Sequence, residues 1–549
     1  MYDPAVLRTL PFALLAGVMT LPAWIDPARR VLGRAEGELR DHVWVSWLVQ
    51  RRIFEDGALP LHFPLANFPY GLDLYPLDPL NQAALALASL AIGLLPAYAL
   101  LTTALLALIG VGGARLARAC GASEAGACAA GLLCMLGPPL LGPVLDTQTE
   151  GMGAGWMLLL LAELAQPWDR ARALRAGLFG AALVASAPYQ AHGIALVAVP
   201  LALWRGGARL VGFAAVPALL AAVVLGGALW SVEGAKDGHL ATRERNGEIW
   251  PPRTVIRGDD VAPPPEAITT ASPVQIGAYA RTPALSPPST GPRRFAGWAL
   301  PLAALFAAAR DRRARVLVAG SLLYASLALG SARELDFGVL EGRVRIPLPY
   351  DLFYRFFPLG HYAWKPAQYA IPAWVLACTA LSLLRGSPLA AAVVALELQL
   401  RGPTPLPLPA VSLGSARVYD ELVGLEGAVV EFPCRSLARG GIGALPADVL
   451  LGQLRHGLPV GENLDRGVNS LHRDLLVSLA EAAGWRVRDP QPLGATWRRA
   501  ASAGYRWLIV HERLLSPEEL TRLRARIAPL DAPATPYDEG QTRYALEAR

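Results

Sequence analysis

The chain has 549 residues, of which 53% are hydrophobic and 17% are charged, and its formal net charge is +6. Soluble globular proteins carry about 25% charged residues, so this composition argues against a soluble protein. The positive charge lies in Arg clusters between apolar runs, as in the cytoplasmic loops of membrane proteins, and does not indicate nucleic-acid binding. The five cysteines are spaced like neither a disulfide framework nor a zinc site.

Uncharged runs along the chain predict transmembrane helices, because about 20 helical residues cross the hydrocarbon core. The first run lacks a cleavage site of the A-x-A kind, which predicts a retained span. With the N-terminus and the Arg clusters in the cytoplasm, an odd number of spans places the C-terminus outside. We predict about eleven spans, at residues 9–25, 97–116, 124–142, 152–167, 174–188, 190–204, 208–230, 295–310, 315–331, 367–384 and 387–400.

Two stretches are ambiguous in this topology. Residues 176–203 contain no charge and fit one long span or two short ones. Two helices are favoured, since one span would move the cluster "RDRRAR" to the outer side. The apolar piece 80–95, which begins with "LDPLNQ", is predicted to lie on or dip into the outer leaflet without crossing. Residues 1–402 then form a transmembrane domain with outer loops 26–96, 231–294 and 332–366.

The composition becomes that of a soluble domain after a Pro-rich linker at 403–412. In residues 413–549, "EGAVVEF" and "YRWLIVH" predict strands. Ser516 and Glu519 form the pattern of a capping box at the start of a helix. The fold class predicted is therefore a mainly α polytopic membrane protein with a small extracytoplasmic α/β domain at the C-terminus.

Carboxylates follow the first predicted span in "GELRDHVW". Helical spacing places Glu38, Asp41 and His42 on one face. A carboxylate in a partly dehydrated cleft can act as a general base, because desolvation raises its pKa. The alternative is that these acidic residues only interact with the dipole of the following helix.

Other polar residues on the predicted outer side have two interpretations each. Asp146 and Glu150 are four residues apart and are either a second acidic site or helix caps. A divalent ion near Glu38, Asp146 and Glu150 is an open alternative, although their spacing is not diagnostic. His192 is either a ligand or a satisfied polar residue near the interface.

Several motifs, in this order, resemble the GT-C glycosyltransferase superfamily of bacterial multi-span proteins. They are "GELRDHVW", "NFPYGLDLYPLDPLN", "ALLALIGVGGARLARACG", "LPYDLFYRFFPLGHYAWKPAQYAIPAW", "VYDELVGLEGAVVEFP" and "AGYRWLIVHERLLSPEEL". The resemblance covers nearly the whole chain except 231–294. It implies a protein of the bacterial inner membrane that transfers a sugar from a polyprenyl-phosphate donor to a glycan, lipid or protein acceptor outside.

The resemblance also implies roles for individual residues. Glu38 lies where relatives carry the catalytic acidic residue, and His42 matches the family histidine. Relatives usually have Asp at that place, so Asp41 remains an alternative base. The implied reaction is deprotonation of an acceptor hydroxyl and in-line displacement of the lipid phosphate with inversion.

The leaving phosphate needs cations, and Lys365 takes the place of the first family Arg, whereas Gln368 replaces the second. An ammonium binds phosphate as a point charge, without the two-pronged geometry of Arg. Arg343 and Arg345 are candidate compensating cations, and Tyr369 is a candidate supporting residue. Alternatively, Lys365 anchors a helix at the lipid headgroups.

A non-catalytic protein that binds or transports lipid-linked glycans is the alternative function. Transport is disfavoured, because the predicted spans carry few ionisable residues. No Gly-rich phosphate loop joins a strand to a helix, which disfavours a nucleotide-sugar site.

Overall fold

The computed structural model describes most of the chain. The described residues are 4–33, 39–66, 68–69, 71–73, 78–145, 149–188, 190–203, 211–212, 214–217, 219–223, 255–256, 298–328, 333–336, 343–346, 369–401, 406–413, 416–433, 448–461, 470–487, 491–538 and 540–546. The chain forms two compact units.

The first, helical unit consists of Met1–Ala35, Leu77–Gly226 and Ile268–Ser412. Its described helices are α1 (Pro4–Trp24), α3 (Pro79–Ile92), α4 (Leu94–Ala119), α5 (Glu124–Leu136), α6 (Pro138–Leu145), α7 (Ala154–Leu164), α8 (Arg170–Ser186), α9 (Gln190–Leu203), α10 (Ala214–Val223), α11 (Ala299–Arg310), α12 (Arg312–Ala328), α13 (Ala370–Ser382) and α14 (Ser387–Arg401). A 3-10 turn, Thr149–Gly153, precedes α7.

Short strands complete this unit. β1 (Arg30–Leu32), which follows α1, pairs antiparallel with β7 (Ala410–Ser412) in the predicted linker. β5 (Arg333–Asp336) and β6 (Arg343–Ile346) form an antiparallel pair. Residues 410–412 are thus part of the helical unit.

Small residues bring the helices around α4 close together. A Cβ atom added to Gly112 would lie 2.7 Å from the Cβ of Leu158 on α7, and one added to Gly131 on α5 would lie 2.5 Å from the carbonyl oxygen of Gly110. Only glycine permits these approaches, which are typical of helix packing in membranes. α4 is therefore packed between its neighbours by backbone contact.

Two glutamates in the helices are bound by charges or dipoles near helix ends. Glu163, 3% exposed, accepts bonds from Arg115 at 2.8 Å and Arg175 at 3.1 Å. Glu397 on α14 accepts hydrogen bonds from the backbone N–H groups of Trp298 and Ala299 at 3.0 and 2.7 Å. The buried carboxylate of Glu163 requires such partners, whereas the half-buried Glu397 lies against the first N–H groups of α11. Both glutamates therefore have a structural explanation.

Within the described residues, α4 is the one single helix with the length and composition of a membrane span, and α5 with α6, bent by 42°, would be a second if they form one span. Shorter apolar helices in the described part of the chain have 10–17 residues. The count of eleven spans and the orientation of the termini therefore stay predictions.

The ambiguous stretch 176–203 is two helices, as predicted, because α8 ends at Ser186, Ala187 leaves the helical conformation with φ −152° and ψ 66°, and α9 begins at Gln190. α3 has 14 residues and ends at Gly93 with φ +84°. At 1.5 Å per residue it is about 21 Å long, less than the roughly 30 Å of a hydrocarbon core.

The second unit consists of Glu36–Pro76, Gly227–Ala267 and Leu413–Arg549. Its helices are α2 (Leu39–Phe54), α15 (Arg417–Asp420), α16 (Asp448–His456), α17 (Ser470–Ala482), α18 (Leu493–Ser502) and α19 (Pro517–Ile527). Its strands are β2 (His62–Phe63), β3 (Leu72–Asp73), β4 (Val255–Ile256), β8 (Ala428–Phe432), β9 (Arg486–Val487), β10 (Tyr505–His511), β11 (Ala534–Tyr537) and β12 (Gln541–Ala545).

A four-stranded sheet in the order β11-β12-β10-β8 forms the centre of this unit. β10 pairs in parallel with β8 and antiparallel with β12. Apolar residues of the sheet and of α17 and α18 form the core, among them Leu475, Trp497 and Leu508. The two predicted strands and the Ser516 to Glu519 capping box are confirmed.

Candidate functional site

The predicted site residues are described to different extents. Glu38, Asp146 and Lys365 lie outside the described residues. Four others have a described backbone only: Asp41 in α2, Glu150 in the 3-10 turn, and Arg343 and Arg345 in β6. His42, His192 and Tyr369 are described with their side chains.

α2 begins at Leu39, so Asp41 lies in its first turn. The next turn carries a buried face, with Val43 and Trp44 both 0% exposed. His42 is half-buried beside that face, and its carbonyl oxygen accepts a hydrogen bond from Ser46 at 2.8 Å. A carboxylate in a first turn is stabilised by the helix dipole. This position fits both interpretations of Asp41.

The register of the β5–β6 pair affects the candidate phosphate cations. Arg343 is opposite Asp336, and Arg345 is opposite Glu334. Residues two apart in a strand share a face, and opposite charges across strands attract. The backbone register therefore sets an acidic residue opposite each of the two arginines.

Tyr369 is buried where three helices meet. Its ring stacks on Tyr324 of α12 with centroids 6.4 Å apart, and a Cβ added to Gly193 of α9 would lie 2.7 Å from its Cε1. Tyr324 also donates a hydrogen bond to the carbonyl oxygen of Gly193 at 3.1 Å. The structure thus places Tyr369 beside the residue that follows His192.

A buried polar cluster that the sequence analysis did not assign to the site lies at the start of α3. Asp78 precedes the helix and is 4% exposed. Its carboxylate accepts a hydrogen bond from the Thr149 hydroxyl and one from Gln82 Nε2 at 3.1 Å. Both oxygens are therefore engaged in hydrogen bonds.

Carboxamides extend this cluster to neighbouring helix ends. Asn81 Nδ2 donates to the carbonyl oxygens of Thr149 at 2.9 Å and Ser186 at 3.4 Å. Gln190 Nε2, at the start of α9, donates to the carbonyl oxygen of Gly151 at 2.8 Å. The cluster thus joins α3, the 3-10 turn, and the break between α8 and α9.

Some acceptors in the cluster are not used. Within the described part of the chain, Gln82 Oε1, Gln190 Oε1 and Ser186 Oγ are buried and have no hydrogen-bond partner. Such atoms are uncommon in native structures and call for an explanation. The sequence signal was "LDPLNQ", where Asp, Asn and Gln begin an apolar run.

A metal site is not formed by the described residues, among which no group of three His, Cys, Asp or Glu could hold an ion. Of the three carboxylates considered for a divalent ion, Glu38 and Asp146 are outside the described residues, as is the side chain of Glu150. The metal interpretation therefore stays a prediction.

Comparison with known proteins gives structural likeness only. No family model and no curated protein matches the sequence. The arabinofuranosyltransferase AftD from Mycobacteria superposes on 100% of this chain with a TM-score of 0.58 and 16% identity. The chain spans 40% of the length of AftD.

Two other solved structures align over nearly the whole chain with lower scores. ArnT from Cupriavidus metallidurans, bound to undecaprenyl phosphate, has a TM-score of 0.42 and 13% identity, and 99% of this chain and 98% of ArnT are covered. The Archaeoglobus fulgidus oligosaccharyltransferase has a TM-score of 0.44 and 12% identity, with 98% and 73% covered. The chain therefore shares its fold with AftD, a likeness that agrees with the resemblance of its motifs to the GT-C superfamily.

Proposed function

We propose that the protein is a membrane glycosyltransferase that moves a sugar from a polyprenyl-phosphate donor to an extracytoplasmic acceptor. The observation that carries the proposal is the GT-C fold, which AftD shares over 100% of this chain. Fold alone does not determine function, so the motifs after the first predicted span supply the second line of support. The acceptor class stays open between glycan, lipid and protein.

The base is assigned to Glu38 or Asp41. One of these carboxylates accepts the proton of the acceptor hydroxyl, and the oxygen then attacks the anomeric carbon of the donor. The carbon–phosphate oxygen bond breaks as the new glycosidic bond forms, which inverts the configuration. The described position of Asp41 in the first turn of α2 is compatible with this role.

Lys365 is assigned the main contact with the leaving phosphate. Arg343 and Arg345 are assigned supporting positions, because the backbone register of β5 and β6 sets an acidic residue opposite each. An ammonium still stabilises the dianion that develops as the phosphate leaves. His42, His192 and Tyr369 are assigned to support the site, as are Asp146 and Glu150.

Asp78 is a further carboxylate near these segments in sequence, but it is not assigned as the base. Both of its oxygens accept hydrogen bonds from Gln82 and Thr149. A base needs an oxygen that can reach the substrate proton. Asp78 is therefore proposed to position the start of α3.

Transfer of radiolabelled sugar tests the proposal, in membranes that carry equal amounts of wild type, Glu38→Gln, Asp41→Asn or Lys365→Ala. The donors should include polyprenyl phosphates that carry arabinofuranose, the sugar in the name of AftD. Loss of a general base typically lowers the rate by about 10²–10⁴-fold. One carboxylate variant is expected to show this loss, and Lys365→Ala a smaller one.

Asp56→Asn is the matched control, since Asp56 is an exposed carboxylate just after α2 that pairs with Arg52. It is expected to retain wild-type transfer. Absence of transfer by the wild type with every donor, together with retained binding of lipid-linked glycan, would establish the non-catalytic alternative.

A further inference from the structure

The segment after the candidate base is held by residues from the C-terminal part of the chain. Trp44 on α2 donates its indole N–H to Gln453 Oε1 on α16 at 2.6 Å. Both side chains are 0% exposed. The two residues are 409 positions apart in sequence, so this bond forms only in the folded second unit.

Gln453 uses its whole carboxamide in this contact region. Its Nε2 donates to the carbonyl oxygens of Leu65 at 2.8 Å and Leu458 at 2.9 Å. Gln453 thus joins α2, the segment after α2, and the end of α16. A buried polar group with all of its bonds formed specifies one geometry, because any displacement leaves a group unsatisfied.

Further bonds continue along the same segment. Arg51 donates a hydrogen bond to the carbonyl oxygen of Gly457 at 3.0 Å. A Cβ atom added to Gly457 would lie 2.7 Å from Nη1 of Arg51, so a side chain at this position would crowd the arginine. The N–H of Val460 donates to Leu65 O at 2.9 Å, and the N–H of Phe68 donates to Val460 O at 3.0 Å.

The segment ends at another buried contact with the C-terminal part. Tyr505 on β10 donates its hydroxyl to the carbonyl oxygen of Phe68 at 2.7 Å, and the two rings meet edge to face at 5.3 Å. Residues 44–68 are therefore bound at both ends and in the middle.

Trp44 is three residues from Asp41, a separation of about 4.5 Å along the helix axis. We infer that the C-terminal part of the chain positions the first turn of α2, with Trp44 and Gln453 as positioning residues for the carboxylate that acts as base. The catalytic consequence rests on the proposed function. The structural consequence, an α2 that is ordered by Gln453, does not.

Trp44→Phe and Trp485→Phe form a matched pair of variants for the test. Each removes one buried indole N–H bond in the second unit, since Trp485 donates to Glu519 at 2.8 Å between α17 and α19. Trp485 is 4% exposed and belongs to the core cluster of the sheet with α17 and α18, a cluster that includes no residue of α2. A general loss of stability would therefore appear in both variants, and a loss of positioning only in Trp44→Phe.

The first measurement is hydrogen exchange of the full-length protein in detergent, followed by mass spectrometry. In Trp44→Phe, the amides of residues 39–54 are expected to exchange about tenfold faster than in wild type, because one bond that opposes local opening is lost. In Trp485→Phe they are expected to exchange at the wild-type rate. Equal exchange of these amides in all three proteins, or equal acceleration in both variants, would overturn the inference.

The second measurement is the steady-state rate of transfer. Misplacement of a catalytic group by about 1 Å costs on the order of 10²-fold, so kcat of Trp44→Phe is expected to fall roughly ten- to hundredfold. The KM for donor is expected to stay within twofold of wild type, and Trp485→Phe to keep both constants. A wild-type kcat in Trp44→Phe would refute the positioning role while leaving the glycosyltransferase proposal intact.

If the wild type transfers no sugar, the proposed function fails, and the exchange measurement still decides whether Gln453 orders α2. The proposed function and the inference about Gln453 can thus fail independently of each other.

Discussion

Two buried glutamine side chains, one in each compact unit, differ in how many of their hydrogen bonds are formed. In the second unit, Gln453 makes hydrogen bonds through its oxygen and twice through its nitrogen. In the helical unit, Gln190 donates to Gly151 O, and its Oε1 has no partner among the described residues. The carboxamide of Gln453 thus uses both its oxygen and its nitrogen in hydrogen bonds, whereas the carboxamide of Gln190 has an oxygen that accepts none from the described residues.

This difference separates a structural role from a candidate functional one. An unsatisfied buried acceptor costs about 1–3 kcal/mol, and a cluster that only held helices together would gain from pairing it. Buried polar groups without partners are therefore more informative about function than saturated ones. Each of the following four predictions concerns either the residues around Gln453 in the second unit or the buried polar cluster of the helical unit.

Gln453→Leu is expected to have the largest effect on stability. It leaves the Trp44 N–H and the carbonyl oxygen of Leu458 without this partner and removes one of the two donors to the carbonyl oxygen of Leu65, so the free energy of unfolding of the second unit falls by about 3–5 kcal/mol. Chemical unfolding followed by tryptophan fluorescence measures this change. Gln491→Leu, the same substitution at an exposed position, is expected to change stability by less than about 0.5 kcal/mol. Similar changes in the free energy of unfolding for both variants would show that the hydrogen bonds of Gln453 do not stabilise the second unit.

Asn81→Leu is expected to destabilise the helical unit by roughly 2–4 kcal/mol, because two buried carbonyl oxygens, those of Thr149 and Ser186, lose their donor. Thermal unfolding in detergent measures it. A shift in the transition no larger than that of an exposed substitution would mean that the cluster is not a structural element.

His456 lies three residues after Gln453 on α16 and makes the stability of the second unit depend on pH. Burial lowers its pKa from 6.5 to about 4, and its Nδ1 accepts the backbone N–H of Leu458 at 2.9 Å. Below pH 6.5 the unfolded chain binds a proton that the folded protein does not bind, so stability falls as the pH decreases toward 4. Between pH 7 and pH 4.5 the loss is about 2 kcal/mol.

Thermal unfolding at these two pH values, with His456→Asn as the comparison, measures this contribution. The asparagine keeps an acceptor near Leu458 but does not titrate, so the variant should lose less stability than wild type in this range. Identical pH dependence in both proteins would contradict the assignment.

Gln190→Met is expected to have the smallest effect on stability, about 1 kcal/mol or less. It removes one donor to Gly151 O, and it also removes the unsatisfied Oε1, so the two contributions partly offset. Unfolding and sugar transfer should be measured together. A loss of transfer that is much larger than the loss of stability would show that this side chain serves the substrate, and proportionate losses would show that it serves the fold.

Local patterns were predicted well from the sequence, because they depend on neighbours in the chain. The strands β8 and β10 and the capping box at Ser516 follow from β-branched residues and cap spacing. The break between α8 and α9 instead follows from the sidedness of the Arg clusters, since the charge-free run alone fits one helix or two. The saturation of Gln453 and the cluster around Asp78 could not be predicted in this way, because their partners lie tens to hundreds of residues away.

The sequence by itself determined that the chain is apolar and helical, and its motifs indicated the GT-C fold. The physical reason is that apolar run length and the order of motifs are one-dimensional properties. Tertiary structure decided that residues 36–76 belong with the C-terminal residues 413–549, and that Asp78 is buried against Thr149. Both contacts join residues that are far apart in the sequence and form only when long loops close, so the local periodicity of the sequence does not predict them.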